Sequence, residues 1–185
     1  LSSSSAASDV YKRQDLNRLS NIIETVSFQK VSFKDIDEEP TTAKRQLMLV
    51  SLIIRYIDNS IPLRLLIAEC EHPATILSAL YFAKKYEIDK SLDISPLFET
   101  SISIERGARI LEQALDCKPF YNYINNRKRI AIQTGFSDAG RFMGQITSSL
   151  AVERLQVKLA EIFQKKLSKK IEVVMFNTHG ESIGR

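Results

Sequence analysis

Apolar residues at Leu16, Leu19, Ile22, Ile23 and Val26 recur at helical spacing and predict a first helix over residues 15–26. The pattern then breaks. Residues 28–40 hold the acidic run Asp35, Asp37, Glu38 and Glu39 before Pro40, the composition of a surface loop. Thr41 or Thr42 offers a cap to a second helix reaching about residue 58, whose dense apolar side (Leu47, Met48, Leu49, Leu52, Ile53, Ile54, Ile57) predicts burial.

After Asn59 the rhythm changes. Residues 63–68 form a short apolar run of the kind expected for a strand buried on both faces. A helix over 74–86 follows, with Pro73 suited to its first turn. A strand at 92–98, a helix at 102–115 and an aromatic, Asn-rich connection at 118–128 come next. The strand at 129–134 runs into a Gly-containing turn bearing Asp138, and then into a long helix over 142–167. A last strand at 171–176 leads into a polar loop over 177–185. The order after two leading helices is βαβαβαβ, which predicts an α/β fold with a parallel sheet and helical crossovers. Four strands are half of an eight-stranded barrel. An open doubly wound sheet has the same local alternation, and periodicity does not separate the two.

Composition narrows the function classes. At 44% hydrophobic and 26% charged, the 185-residue chain can build a packed core. The net charge is only +4, and basic pairs such as Lys165-Lys166 lie along helices. No basic stripe interleaved with aromatics, zinc finger or helix-turn-helix signature is present, which argues against a nucleic-acid partner. No apolar run approaches the ~20 residues of a membrane-spanning helix. Cys70 and Cys117 form no C-x-x-C and predict packed thiols in a reducing cytoplasm. Residues 4–14, SSAASDVYKRQ, resemble the in-frame translation of a sequencing-library adapter. Residues 1–14 are therefore expected to be disordered and foreign to the fold. Residues 15–61 are expected to form leading helices, and 62–185 a partial α/β barrel.

In parallel barrels, chemistry gathers at the C-terminal ends of the strands. Those ends offer Glu69 and His72, then Glu99, then Ser137 and Asp138, then His179 and Arg185. Glu99 and Asp138 together form a pair of carboxylates suited to Mg²⁺ or Mn²⁺, which leaves positions for water and substrate oxygens. Read alone, Asp138 is equally a helix cap. His72 beside Pro73 reads as a capping or surface residue. Ser137 has no His-Asp arrangement near it in sequence.

Three ordered motifs add to this. D-I-S-P-L-F-E-T at 93–100, G-F-S-D at 135–138 and F-N-T-H-G-E-S-I-G-R at 176–185 resemble segments of phosphoenolpyruvate carboxylase, and the resemblance spans roughly residues 63–185. It implies part of a (β/α) barrel of the phosphoenolpyruvate/pyruvate type. By position, Glu99 and Asp138 match the family's metal-binding carboxylates. Arg141 stands where the family usually has a Lys, and Arg185 matches the second Arg of its mobile loop. His179 falls on that loop's first Arg in a gap-free comparison. The resemblance implies a lyase forming oxaloacetate and phosphate from phosphoenolpyruvate and bicarbonate with Mg²⁺ or Mn²⁺, homo-oligomeric at full length. It also implies that the family's proton-handling His lies outside these residues, so that this stretch alone is inactive. Another phosphoenolpyruvate or pyruvate barrel lyase is the neighbouring alternative. A non-catalytic assembly or regulatory relative is the alternative from a different class.

Overall fold

The computed structural model describes residues 3–60 and 62–178, with the side chains of 14–60, 62–135, 139–141 and 143–177. Its order is α1 (Ser3–Glu24), α2 (Phe33–Glu38), α3 (Thr42–Tyr56), β1 (Leu63–Ile67), α4 (Pro73–Lys85), β2 (Leu92–Phe98), α5 (Ser101–Asp116), α6 (Lys118–Arg127), β3 (Arg129–Gly135), α7 (Phe136–Met143), α8 (Gln145–Lys166) and β4 (Glu172–Thr178). The four strands are parallel and lie in the order β1-β2-β3-β4. This is an α/β fold in which each strand is the neighbour of the one before it.

The sheet is curved. Strand neighbours lie about 4.8 Å apart, so a flat sheet would separate β1 from β4 by roughly 14 Å. Yet the Arg64 guanidinium of β1 lies 3.6 Å from the centroid of the Phe176 ring of β4. The registers put Arg64 and Leu66 on the same face as Asp93, Ser95 and Leu97, as Ala131 and Gln133, and as Val174 and Phe176. That is the concave face, and it mixes Arg64, Asp93, Ser95 and Gln133 with apolar side chains. The opposite face carries Leu65, Ile94, Phe98, Ile130 and Ile132 and packs against helices. On α5, Gly107 lets the helix close on the Phe98 ring, where an added Cβ would meet ring carbons at 3.0 Å.

β2 is buried throughout, Asp93 and Ser95 included. β1 departs from expectation: its residues alternate between half-buried and exposed instead of being buried on both faces. It is an edge strand of the described sheet, so Arg64 and Leu66 have only one neighbouring strand to cover them. Pairing between β2 and β3 is confined to Leu97–Gln133 and Phe98–Thr134. Further back, the Tyr123 hydroxyl stands in for the ladder, donating to Leu92 O (2.7 Å) and accepting from Ile94 N–H (2.9 Å). Burial pushes this phenol's pKa up, so it remains the proton donor that the contact needs.

Four local departures have physical causes. The acidic stretch read as loop contains α2, because Ser32 and Asp35 form a reciprocal capping box. The connection at 118–128 is helix α6, with Pro119 in its first turn and Phe120, Tyr123 and Ile124 buried on one side. The long helix after β3 is two helices, divided at Gly144 (φ 81°), whose backbone conformation ordinary side chains resist. Lastly, the backbone of residues 4–14 is helical as part of α1, not unstructured. Extending a formed helix costs far less than nucleating one. Leu16 and Ile23 of α1 and Leu47, Met48 and Leu52 of α3 share one core with the α/β unit.

Candidate functional site

The C-terminal ends of the strands bring one sequence-predicted acid into sharp definition. Glu99 follows the last residue of β2, and Gly135 is the last residue of β3. The register Phe98–Thr134 sets Glu99 opposite Gly135. A Cβ added to Gly135 would lie 2.5 Å from the Glu99 Cβ and 3.3 Å from its Cα, closer than carbon atoms pack. Glycine is required here by close approach, not by backbone angle.

Glu99 is held on several sides. Its Oε1 accepts the Glu69 N–H at 3.1 Å. Its own N–H and that of Thr100 both donate to Ser103 Oγ at 3.0 Å, inside the capping box that starts α5. The Thr100 hydroxyl donates to Glu71 Oε1 at 2.8 Å. No Arg or Lys pairs with Glu99 among the described residues.

Gly135 caps α7, so Asp138 sits in that helix's first turn, three residues past β3, and not in a turn ahead of a helix. Arg141 follows one turn later and is exposed. The side chains of Ser137 and Asp138 lie outside the described set, as do His179 and Arg185 altogether. The backbone thus brings Glu99 and the start of α7 to one end of two adjacent strands.

The remaining candidates separate from this pair. His72 is an exposed N-cap of α4 that makes no side-chain capping bond. Cys70 and Cys117 are free and buried. Burial pushes the Cys70 thiol up to about 12, which keeps it neutral and unsuited to metal ligation or attack. Among the described residues, no group of three or more His, Cys, Asp or Glu converges as a metal cluster. Nor is any helix there long and apolar enough to cross a membrane. Glu69, offered by the strand-end reading, and Glu71, which that reading does not single out, both contact the Glu99–Thr100 corner. No motif signals them, because one acts through its backbone.

At the opposite end of the sheet, Asp93 is buried between two guanidinium groups. Arg127 Nε donates to its Oδ1 at 3.1 Å and Arg129 Nη1 to its Oδ2 at 3.2 Å. Arg129 Nε also donates to Glu172 at 2.8 Å, and these carboxylates hold its pKa up. A cleft of about 320 Å³ opens beside this network.

Comparison with known proteins agrees with the strand-end motifs. The family model described as phosphoenolpyruvate carboxylase matches residues 19–185. The phosphoenolpyruvate carboxylase of Corynebacterium efficiens is 29% identical over 96 residues, 51% of this chain and 10% of the relative. That of Marinomonas sp. is 28% identical over 113 residues, 61% of this chain and 12% of the relative. That of Pseudomonas aeruginosa is 26% identical over the same length, again 61% and 12%. The chain spans about a tenth of the length of these curated relatives. With nearly all of its sequence matched and its paired strand ends carrying the motif residues, the chain belongs to the phosphoenolpyruvate carboxylase family.

Proposed function

We propose that this chain is the part of a phosphoenolpyruvate carboxylase that supplies the acids for a divalent cation, within a (β/α) barrel of which β1–β4 are four strands. The observation that carries the reading is the meeting of Glu99 with Gly135 at the C-terminal ends of adjacent parallel strands, three residues before Asp138. The longer protein would convert phosphoenolpyruvate and bicarbonate to oxaloacetate and phosphate.

The residues fit Mg²⁺ or Mn²⁺ in donor chemistry. Carboxylate oxygens are the hard donors that Mg²⁺ takes, one or two at a time, alongside water and substrate oxygens. Glu99 has one oxygen engaged by the Glu69 N–H, and its other oxygen has no protein partner among the described residues. Glu99 and Asp138 would hold the cation, which when bound supplies Lewis-acid stabilisation of negative charge developing on substrate oxygen.

The other steps fall to the chain's own groups. Arg141, Arg185 and His179 would balance the charge of phosphate and carboxylate. Arg141 offers a planar, permanently charged fork in place of the usual Lys point charge. The loop at 177–185, with two glycines, would fold over bound substrate and exclude water. Carboxylation assays on the full-length enzyme test this reading, with Glu99→Gln and Asp138→Asn beside wild type. Both variants are expected to lose turnover and Mn²⁺ binding together. Retention of both properties in either variant would overturn the assignment and favour a non-catalytic relative.

A further inference from the structure

We propose that the β1–α4 turn, Glu69 to Glu71, is a positioning element for a divalent cation held by Glu99, and that Glu69 acts through its main chain rather than its carboxylate. The proposal rests on the reading of Glu99 as a cation ligand. Three contacts tie this turn to the end of β2. Glu69 donates its N–H to Glu99 Oε1 at 3.1 Å. Cys70, three residues past the end of β1, donates its N–H to Leu97 O at 3.2 Å, and its side chain is fully buried. Glu71 accepts the Thr100 hydroxyl at 2.8 Å.

The backbone is unusual where the first contact is made. Glu69 has φ 48°, the left-handed region that non-glycine residues seldom occupy. Such a conformation persists where surrounding contacts over-determine it, and here it accompanies the delivery of an amide proton to a carboxylate. Glu69 is exposed, so no burial of its side chain accounts for the conformation. The N–H occupies one Glu99 oxygen, and the Gly135 backbone closes off the side of its Cβ. The carboxylate plane is thereby set before any ligand arrives, with the second oxygen left for the cation. Outer partners that orient a ligand in this way typically change metal affinity by about 10–100-fold when removed.

The experiment titrates the full-length protein with Mn²⁺, reading free Mn²⁺ by electron paramagnetic resonance, with thermal unfolding followed in parallel. Glu69→Gly and Glu69→Gln keep the N–H and should bind Mn²⁺ within about twofold of wild type, the glycine because it adopts the left-handed region freely. Glu69→Val disfavours that region and should weaken binding about tenfold. Should the Val variant fail to fold, Glu71→Ala carries the test. It should weaken binding several-fold, whereas Glu71→Gln, which keeps an acceptor for Thr100, should restore it. Wild-type affinity in Glu69→Val, or in Glu71→Ala where that variant replaces it, would overturn the proposal. So would equal weakening by Gln and Val, which would assign the effect to the Glu69 carboxylate. Equal Mn²⁺ binding by wild type and Glu99→Gln would instead remove the cation reading itself, and the proposal with it.

Discussion

Asp93 and Glu99 stand six residues apart, one within β2 and one beyond it, and the molecule treats them in opposite ways. Asp93, near the start of β2, is buried and fully answered by Arg127 and Arg129. Glu99, just past the end, is oriented by a backbone N–H and by a glycine that makes room, and no cationic side chain pairs with it among the described residues. A carboxylate neutralised by its own protein is a structural part. One that is positioned but not neutralised can attract a cation from outside. On the proposed reading the sheet has a stabilising end and a chemical end, the division that parallel barrels generally show.

The sharpest way to break this contrast is to neutralise each acid in the full-length enzyme. Glu99→Gln should lower turnover about 100-fold, since a Lewis acid contributes several kcal/mol and each ~1.4 kcal/mol is tenfold. Its thermal midpoint should move little. Steady-state carboxylation and calorimetry together check both halves. Asp93→Asn should do the reverse. Removing one member of a buried ion network leaves charge uncompensated and costs about 3 kcal/mol. The midpoint should fall while turnover per folded molecule stays near wild type. Asp93 thus makes a poor silent control for a metal-ligand substitution, although its place at the far end of the strand suggests one.

Gly135→Ala sharpens the contrast from the backbone side. The new methyl must push Glu99 away, an overpacking cost of about 2 kcal/mol. Metal affinity should fall with it, which a structural glycine at the other end of the sheet would not produce. The smallest effect expected belongs to His179. If it contacts substrate phosphate, affinity should weaken as pH rises through the imidazole range near ~6.5, because only the protonated ring attracts the anion. His179→Arg should flatten the profile of phosphoenolpyruvate affinity against pH. Parallel profiles would confine His179 to shaping the turn.

Much of the C-terminal end of the sheet is legible in the sequence. The strand read over Leu92–Phe98 is itself the observed strand, so Glu99 falls where strand-end reasoning puts it. Pro73 marks a helix start that forms as read. The losses are equally specific. The spacing of Phe120, Tyr123 and Ile124 is helical, but Asn122, Asn125 and Asn126 around them lower intrinsic propensity, and packing decides the matter. Gly144 reads as one tolerated glycine in a long periodic segment, while its positive φ divides that segment in two. The Asp93 network was hidden because Arg127, Arg129 and Glu172 lie 34 or more positions along the chain from it. Glu69 was hidden for a different reason, since a main-chain N–H has no one-letter code.

The Tyr123 hydroxyl has a consequence for the free stretch of β2. Strands β2 and β3 pair at Leu97–Gln133 and Phe98–Thr134, and further back the phenol meets Leu92 O and the Ile94 N–H, both on β2. Two buried main-chain groups that no paired strand answers thus depend on one side-chain oxygen. At the paired end, Glu99 and Gly135 lie so close that no side chain fits between them. A strand zipped at one end and tied off by a phenol at the other needs no continuous ladder to keep its backbone satisfied.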